Sequence, residues 1–496
     1  MERKNVIIIG AGIGGLCCGI RLLHAGYKVL ILEKTQACGG VAQTIHLPHS
    51  SLPFDSFASI FIHPNEYAQI FKDVGLSYQD YYETMPLTNL YKVFYKDGTQ
   101  FTLNRNYLCE VQSFETTFQD SFEAYSTYVQ SMYSRYISIE DSFLTKPFVS
   151  IKDFVNPITL LKGVALHPYI SVSYYLNYKI KNTKLREFLS FQTFYMGFPP
   201  QKMPYLYATI PAVTQTLGLI HVKGGMGAYV HALEKAFYDL GGKMLYKHSV
   251  QNILIENNRA YGVLCKNKKI EADIIVSNAD YRYTVTQLLS YSNAYMNFSK
   301  STASPVMSCS VFMLRLVLSR PLPMLNIHNI YINDHINEEF KATAKGHLPI
   351  TPPLYIYYPG AIDENFKTDE EFGINMMLRV PNLSSQITWN TQTISTLRTI
   401  CLEGLWEITG IKNIHQYIVT EGMSTPLDLR NQFNCAYGAA FGLAPTLFQS
   451  IMFRPQPISK SISGLYFVGS SIHPGNGVSI VMKGAKLTTE EILKRS

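Results

Sequence analysis

The sequence predicts an α/β protein with a parallel central sheet that binds a nucleotide. Near the N-terminus an apolar strand, Val6 to Ile9, runs into a glycine-rich turn and then into a helix. Near the C-terminus a second apolar strand, Leu465 to Val468, runs into Gly469, and a helix could begin near Val478. Glycines let the backbone approach a ligand, and helix N-termini attract anions. Two such loops predict a ligand long enough to touch both, which favours FAD over NAD.

The first loop has the spacing of a Rossmann-like dinucleotide-binding turn. Gly10, Gly12 and Gly15 follow the pattern G-x-G-x-x-G, and Gly14 lies between the last two. The first glycine permits the tight turn, the second lets the backbone touch a pyrophosphate, and the third lets the helix pack on the strand. The helix is predicted to run from about Gly14 to Ala25.

An acidic residue follows the next predicted strand, Lys28 to Leu32. Glu33 lies 23 residues after Gly10, where a carboxylate can accept both ribose hydroxyls of an adenosine. It would repel a 2′-phosphate, so NADP is not expected. Lys34 and then the pair Gly39-Gly40 come soon after, which is typical of a flavin-binding domain.

The nucleotide-binding domain is predicted to be interrupted twice by a substrate domain of α+β character. A hairpin around Lys96 to Gly98, a mostly helical apolar stretch from 150 to 220, and strands after residue 308 indicate the insertions. The cluster Gly224 to Gly227 opens another helix of the nucleotide-binding domain. The predicted segments are 1–90 (FAD-binding), 91–221 (substrate and membrane contact), 222–285 (FAD-binding), 286–415 (substrate domain) and 416–496 (FAD-binding).

The composition favours an apolar ligand or contact with a membrane. The chain is 47% hydrophobic and 16% charged, and it has 34 Tyr and 27 Phe; soluble domains average about a quarter charged. An aromatic-rich core is the alternative explanation. The net charge is +7 without a basic and aromatic stripe, which argues against nucleic acid and allows weak attraction to an anionic membrane surface.

The cysteines and apolar stretches predict a cytoplasmic protein that associates peripherally with a membrane. Eight scattered cysteines without a CxxC pair fit a reducing compartment and no metal site. Cys17 and Cys18 are expected to be small apolar residues of the first helix. No signal peptide is expected, because the first apolar stretch is short and glycine-rich. The stretch Tyr205 to Val222 is uncharged over 18 residues but contains proline and glycine, so it predicts a core or membrane-dipping segment rather than a span.

No catalytic residue is predicted from the pattern. The sequence shows no Ser/His/Asp set, no paired carboxylates at helical spacing and no metal-binding constellation. His473 could neighbour a flavin or carry a proton, but a single histidine in a loop is more often structural. Asp55 and Asp280 are predicted to cap loops.

Segments spread over nearly the whole chain resemble the bacterial carotenoid (phytoene-type) desaturases, and in particular their branch that acts on C30 dehydrosqualene. The segments near the C-terminus are the most specific, since few other flavoproteins share them. The matching segments are Gly10 to Leu16, Phe191 to Pro199, Val222 to Met226, Ser277 to Asp280, Thr425 to Asp428, Gly438 to Ser450, Arg454-Pro455, and His473 to Gly477.

This resemblance implies the amine oxidase/phytoene desaturase fold and FAD-dependent desaturation of a long isoprenoid hydrocarbon, C30 4,4'-diapophytoene, in carotenoid biosynthesis. Such a hydrocarbon has no hydrogen-bonding group, so an apolar tunnel is expected. Because it resides in bilayers, peripheral membrane contact is implied. The resemblance assigns Gly10, Gly12 and Gly15 to the pyrophosphate loop, Glu33 to the ribose, Val250 to adenine through its backbone, Gly469 and Ser470 to the pyrophosphate, and Gly477 with Val478 to the flavin ring.

Three positions depart from the family pattern. Val41 replaces the usual arginine after the glycine pair, the segment Asp55 to Ser59 lacks the usual Gly-Pro, and Ser479 replaces a proline. These departures bear on the affinity for FAD and on the reaction. Alternative functions are a terminal-methyl oxidase acting on diaponeurosporene, a flavin-free isoprenoid-binding protein of the same fold, and, less favoured, an amine oxidase.

Overall fold

The computed structural model describes residues 4–148, 153, 169–289 and 305–495. Their strands are β1 Asn5–Ile9, β2 Lys28–Leu32, β3 Thr44–His46, β4 Pro53–Asp55, β5 Phe61–Ile62, β6 Thr84–Pro86, β7 Asn89–Tyr95, β8 Gln100–Asn104, β9 Leu219–Val222, β10 Lys243–Leu245, β11 Val250–Glu256, β12 Arg259–Cys265, β13 Lys268–Glu271, β14 Ile274–Ser277, β15 Ser310–Leu318, β16 His328–Ile332, β17 Leu354–Tyr357, β18 Phe372–Val380, β19 Ile418–Ser424 and β20 Leu465–Phe467.

The α-helices of the described residues alternate with these strands. They are α1 Ile13–His24, α2 Pro64–Lys72, α3 Val111–Phe118, α4 Phe122–Ile139, α5 Val172–Lys179, α6 Thr183–Thr193, α7 Thr209–Leu217, α8 Gly225–Asp239, the single turn α9 Tyr281–Tyr283, α10 Ile336–Ala344, α11 Thr391–Thr409, α12 Pro426–Phe433 and α13 Val478–Arg495. Two π-helical segments, Glu140–Leu144 and Thr284–Leu288, follow α4 and α9.

A five-stranded parallel sheet in the order β10-β2-β1-β14-β20 forms the first half of the fold. Its central strand β1 pairs with β2 and β14, which come from distant parts of the chain. The helices α8 and α13 pack against α1. Cys17 and Cys18 are fully buried within α1, in agreement with the sequence prediction. The predicted α/β class with a parallel sheet is therefore confirmed.

A seven-stranded sheet in the order β19-β15-β18-β17-β16-β7-β8 forms the second half. The hairpin β7-β8 was predicted around Lys96 to Gly98, and it joins this sheet by parallel pairing of β7 with β16. Every residue of β15 is buried, because alternate side chains enter two different cores. Leu314 packs in the core beneath α11, whereas Val311 and Met313 pack in the core that surrounds the insertion helices.

Two features of the second half differ from the sequence prediction. The stretch 286–415 was predicted to have sheet character, yet it contains the 19-residue helix α11. The Asn390 side chain accepts the Thr393 N–H and caps this helix, and its buried residues recur at helical spacing. The strand β19 lies in the segment predicted as FAD-binding but pairs with β15 of the second sheet. The five segment boundaries remain a prediction.

The apolar stretch from Tyr205 to Val222 folds into a short 3-10 turn, helix α7 and strand β9. Its apolar side chains are mostly buried and include Ala208, Ala212 and Leu219, which corresponds to the predicted core segment. Of the helical stretch predicted from 150 to 220, residues 150–152 and 154–168 lie outside the described residues. In the described ranges, no helix is both long enough and apolar enough to traverse a bilayer.

Candidate functional site

A cavity of about 500 Å³ extends from the carboxyl ends of the parallel strands to the second sheet. One end is lined by Glu33 and Val250, beyond β2 and at the start of β11. The other end is lined by Val311 of β15 and Met377 of β18. In open α/β sheets, ligands bind beyond the carboxyl ends of the strands. The position of the cavity therefore marks it as the candidate site.

The structure brings twelve of the thirteen sequence-predicted site residues to the wall of this cavity. They are Gly10, Gly12, Gly14, Glu33, Lys34, Gly39, Gly40, Val250, Gly469, Ser470, Gly477 and Val478. The thirteenth, Gly15, lies behind the wall. A Cβ atom on Gly15 would lie 2.3 Å from the Gly10 carbonyl oxygen, so this position supports the turn rather than the surface of the cavity.

Asn278, just after β14, holds the two glycine loops close together. Its Nδ2 donates to the Gly10 carbonyl oxygen at 3.2 Å. A Cβ atom on Gly12 or Gly14 would lie 2.8 or 2.6 Å from the Asn278 amide. A Cβ on Gly14 would also lie 3.2 Å from the Gly469 Cα. The glycines thus let Asn278 and the two loops pack closely, and the cavity side of both loops is a backbone-lined cradle that fits a pyrophosphate.

The Glu33 carboxylate is buried and held in a fixed orientation by three donors. The Ala11 N–H donates to Oε2 at 2.8 Å, and the Thr35 N–H and hydroxyl both donate to Oε1 at 2.8 Å. Each carboxylate oxygen can accept more than one hydrogen bond. Glu33 also lines the cavity, so its carboxylate can accept hydrogen bonds from two adjacent hydroxyls of a ribose.

A buried arginine fixes the C-terminal loop. Arg454 Nε donates to the Ile472 carbonyl oxygen at 3.0 Å, and Nη2 donates to the Ser470 carbonyl oxygen at 2.9 Å. Gly477 has φ +98° immediately before α13, which begins at Val478 as the sequence predicts. The first turn of α13 lines the cavity and offers N–H groups to an anion. Sequence reasoning did not assign Arg454 or Asn278 to the site, although both lie in segments that carry the family resemblance.

His473 is fully buried in the cavity wall and is uncharged at neutral pH. Burial lowers its pKa to about 4. Its Nε2–H donates to the Lys146 carbonyl oxygen at 3.0 Å, and its ring meets the Phe148 ring edge-on at 5.5 Å. These contacts agree with the structural role that the sequence favours.

Asp55 and Asp280, predicted to cap loops, both accept backbone N–H groups at the starts of helices. Asp280 Oδ1 accepts the Tyr283 N–H at 3.1 Å and caps α9. Asp55 Oδ1 accepts the Met226 N–H at 3.0 Å in the first turn of α8. Burial raises the pKa of Asp55 to about 7.

The three departures from the family pattern lie close to the cavity. Val41 and Ser479 line it, and so does Phe57 in the middle of the Asp55–Ser59 segment. The Phe57 N–H donates to the Val41 carbonyl oxygen at 3.2 Å, which holds this segment beside the glycine pair. Val41 and Phe57 make their part of the wall apolar and Ser479 adds a hydroxyl, while the glycine loops still line the cavity.

An ionic cluster joins three helical segments beside the cavity. Lys483 of α13 lies 2.8 Å from Glu66 of α2 and also pairs with Glu140 of the π-helical segment. The Tyr136 hydroxyl donates to Glu140 at 2.8 Å and lies 3.3 Å from His63 Nδ1. Although burial opposes the charged form, Glu66 and Glu140 raise the pKa of Lys483. The sequence pattern gave no signal for this cluster, because its members are far apart in the chain.

Cys38, His231 and Glu234 have potential metal ligand atoms within 4.8 Å of one another. The sequence predicts no metal site. Cys38 Sγ donates to Glu234 at 3.3 Å, His231 Nδ1 lies 3.2 Å from the same carboxylate, and the Tyr246 hydroxyl also donates to it. Burial raises the pKa of the Cys38 thiol to about 12. Hydrogen bonds within the protein therefore explain why these three side chains lie close together.

Comparison with known proteins agrees with this geometry. Residues 13–283 match the model of the family described as flavin containing amine oxidoreductase. A 4,4'-diapophytoene desaturase (4,4'-diaponeurosporene-forming) of Staphylococcus haemolyticus is 30% identical over 99% of this chain and 98% of its own. The enzyme with the same description in Staphylococcus aureus is 28% identical over 99% of both chains.

Solved structures share the fold at low sequence identity. An oxidoreductase from Methanosarcina mazei aligns over 98% of this chain and 100% of its own, with a TM-score of 0.66 and 17% identity. A putrescine oxidase bound to putrescine aligns over 100% of both chains, with a TM-score of 0.65 and 13% identity. Both similarities concern the fold alone.

Proposed function

Because the chain belongs to the flavin-containing amine oxidoreductases, and within them to the bacterial carotenoid desaturases, we propose that it introduces double bonds into the C30 hydrocarbon 4,4'-diapophytoene. The cofactor is FAD, as the family and the glycine cradle indicate. One observation carries the proposal: a single cavity joins the cradle to a largely apolar wall. This is the arrangement that an oxidation of a hydrocarbon requires.

Twelve of the thirteen residues predicted from the sequence are proposed to contact FAD, and Gly15 to support the turn behind them. Gly12 and Gly14 present backbone to the pyrophosphate, Glu33 receives the ribose, and the first turn of α13 stabilises negative charge. Asn278 and Arg454 are added as positioning residues, because each holds one of the two loops in place. When bound, FAD supplies the two-electron oxidation.

The apolar part of the cavity is proposed to bind the hydrocarbon and exclude water. Its walls include Phe143 of the π-helical segment after α4, Ile210 and Val213 of α7, and Phe441. A hydrocarbon gains affinity only by apolar contact, since it has no polar group to direct it. Selection among its carbon atoms therefore depends on the shape of these walls and on how far the chain enters.

A membrane surface is the proposed source of this substrate. Leu447, Phe448 and Phe453, here called the Phe448 patch, expose 40%, 74% and 52% of their surface. Ile451, between them in the sequence, lines the cavity and packs with Leu144 and Leu206 around Phe143. An exposed apolar patch next to a residue of the cavity wall suits contact with lipid. The proposed partner is thus the surface of a bilayer.

The function is tested by the visible spectrum of lipid extracts from cells that make dehydrosqualene, with and without this protein. New three-banded absorption in the blue is expected, since desaturation lengthens the conjugated system. A colourless extract from cells containing well-expressed, FAD-loaded protein would contradict the proposal. Polar pigments formed from supplied diaponeurosporene would favour the terminal-methyl oxidase, and purified protein without flavin absorbance would favour the flavin-free binding protein.

A further inference from the structure

Cys38, His231 and Glu234 bring a thiol, an imidazole and a carboxylate together near the protein surface. Cys38 lies in the loop after β2, directly before Gly39, and the other two residues lie on α8. His231 and Glu234 are three residues apart, so they share one face of the helix. Among the described residues, no other group of three or more Cys, His, Asp and Glu side chains places its potential ligand atoms within 4.8 Å of one another.

The spacing of these atoms is close to that around a tetrahedral metal ion. Glu234 Oε2 lies 3.3 Å from Cys38 Sγ and 3.2 Å from His231 Nδ1. Zinc binds nitrogen and oxygen at about 2.0–2.2 Å and sulfur at about 2.3 Å, so its tetrahedral ligands lie about 3.3–3.8 Å apart. The remaining separation, between Sγ and Nδ1, is at most 4.8 Å. A zinc ion can therefore contact all three atoms after small side-chain movements.

A separate donor fixes the other oxygen of the carboxylate. The Tyr246 hydroxyl donates to Glu234 Oε1, so Oε2 is the oxygen that contacts Cys38 and His231. Hydrogen bonds that orient a ligand in this way are a usual feature of metal sites. Three protein ligands leave the fourth tetrahedral position to water.

A metal ion can reach this group from solvent and replace the proton that joins the thiol to the carboxylate. The side chains of His231 and Glu234 are 68% and 20% exposed, whereas Cys38 is 3% exposed. Without a metal, the thiol donates its proton to Glu234. Burial raises the pKa of this thiol to about 12, but a metal ion deprotonates a thiol that coordinates it. Binding forms a sulfur–metal bond and releases the thiol proton to solvent.

The group also joins two elements beside the cavity. The loop of Gly39 and Gly40, here called the glycine-pair loop, follows Cys38 and lines the cavity. The Gly39 N–H donates to the Ala11 carbonyl oxygen at 2.8 Å, which attaches this loop to the first glycine turn. A Cβ atom on Gly39 would lie 2.9 Å from Val230 Cγ1 of α8. An ion bound between Cys38 and α8 would hold the glycine-pair loop against this helix.

We propose that Cys38, His231 and Glu234 bind one Zn²⁺ ion per chain, and that this ion stiffens the glycine-pair loop. A thiol, an imidazole and a carboxylate suit zinc better than magnesium or calcium, which prefer oxygen ligands. The sequence shows no metal-binding spacing here, because Cys38 and Glu234 are 196 residues apart in the chain. The inference rests on the proposed function only in that the glycine-pair loop holds FAD.

The test adds Co²⁺, a spectroscopic substitute for Zn²⁺, to the purified, untagged and FAD-loaded protein after chelators have been removed. Tetrahedral Co²⁺ has d–d absorption bands at longer wavelengths than flavin absorbs. These bands are expected to saturate at one Co²⁺ per chain and to disappear when Zn²⁺ displaces it. Cys38→Ser should weaken Co²⁺ binding by at least about tenfold, the smaller effect of losing even a residue that supports a ligand. Cys109→Ser, which removes an exposed cysteine outside the group, should leave it unchanged.

Two outcomes would overturn the metal site. One is the absence of d–d bands in the unaltered protein, and the other is unchanged Co²⁺ affinity in Cys38→Ser. Should Cys38→Ser fail to fold, His231→Gln replaces a largely exposed side chain and is expected to weaken Co²⁺ binding by at least about tenfold. Unchanged affinity in His231→Gln contradicts the inference in the same way.

The effect on the glycine-pair loop is measured by the rate at which flavin fluorescence appears after the FAD-loaded protein is diluted. Release should be at least about threefold slower with saturating Zn²⁺ than with EDTA, because the ion stabilises the folded loop. His231→Gln should show no such difference. Equal release rates in the unaltered protein would overturn the link between the ion and the loop. Intact Co²⁺ bands in a protein that binds no FAD would contradict the proposed function alone.

Discussion

The turn between β1 and α1 requires a residue without a side chain at Gly15. A Cβ atom there would meet the Gly10 carbonyl oxygen at 2.3 Å, and a backbone atom cannot move aside as a side chain can. Gly15→Ala is expected to reduce the FAD content of the purified protein by at least about tenfold, which corresponds to roughly 1.4 kcal/mol. The flavin absorbance per protein measures this effect.

A matched glycine provides the control for this substitution. In Gly360→Ala the new Cβ would have its nearest neighbours at 3.5 Å, an ordinary contact. This variant is expected to keep its FAD. Full FAD content in Gly15→Ala would show that the turn adapts, and the role given to Gly15 would be wrong.

Asp55 is predicted to make stability depend on pH. Burial raises its pKa from 3.8 to about 7, so between these values the folded protein holds more protons than the unfolded chain. The contribution of Asp55 to stability therefore falls as the pH rises through this window. Asp55→Asn keeps an oxygen for the Met226 N–H but does not ionise. It should stabilise the protein more at pH 8 than at pH 5, by about 3 kcal/mol at most.

Thermal unfolding of both proteins at the two pH values checks this prediction. An equal change in melting temperature at pH 5 and pH 8 would mean that Asp55 does not titrate in this range. The direction of the pH dependence is the decisive observation, because a carboxylate stabilised by an ion pair would give the opposite trend.

The residues that sequence reasoning identified belong to local patterns. Gly10, Gly12 and Glu33 follow one another within a single β-α-β unit, so their spacing alone predicts their proximity. Asn278, Val311 and Met377 do not, because they meet at the cavity only through the pairing of strands from distant parts of the chain.

At the scale of elements, the sequence predicted best where a pattern had clear ends. Strand Lys28–Leu32 and the start of α13 at Val478 agree with the prediction, since glycine or polar residues bound them. β18 was not predicted. Its residues from Gly373 to Val380 are all buried on both faces, so it lacks the alternation that identifies a half-buried strand.

Lys483 links α13 to α2 and to the π-helical segment after α4. Lys483→Met should lower the free energy of unfolding by about 1–3 kcal/mol, between the values for surface and buried pairs. It leaves Glu66 and Glu140 without their shared cation. Denaturant unfolding measures the change.

Lys494→Met is the control on the same helix. Lys494 pairs with Glu491 at 3.0 Å, but its side chain is largely exposed, so the change should stay within about 0.5 kcal/mol. Equal effects of the two substitutions would show that the cluster does not join the helices.

At the scale of the whole molecule, the Phe448 patch is exposed on either side of Ile451, which lines the cavity. Phe448 and Phe453 lie 5.8 Å apart by ring centres and are largely exposed. Phe448→Ser with Phe453→Ser should move the protein from the liposome-bound to the free fraction in a flotation assay, by about tenfold for two lost aromatic anchors. The melting temperature should change little, because these rings are exposed.

Ile350→Ser controls for the general loss of an exposed apolar side chain. Ile350 is 80% exposed and lies in a different region of the sequence. Its substitution should leave liposome binding unchanged. Binding that is insensitive to the Phe448 patch would locate the lipid contact elsewhere.

The order of strands in the parallel sheet also constrains when the protein can fold during translation. The loop at Gly10 emerges early, but strand β20, which completes the sheet by pairing with β14, is synthesised about 450 residues later. At about 5–20 residues per second, that delay is roughly half a minute to a minute and a half. During this time β1 has no complete sheet to join, and its apolar side chains remain available to chaperones. FAD can therefore be captured only at the end of translation, when the last strand and helix arrive.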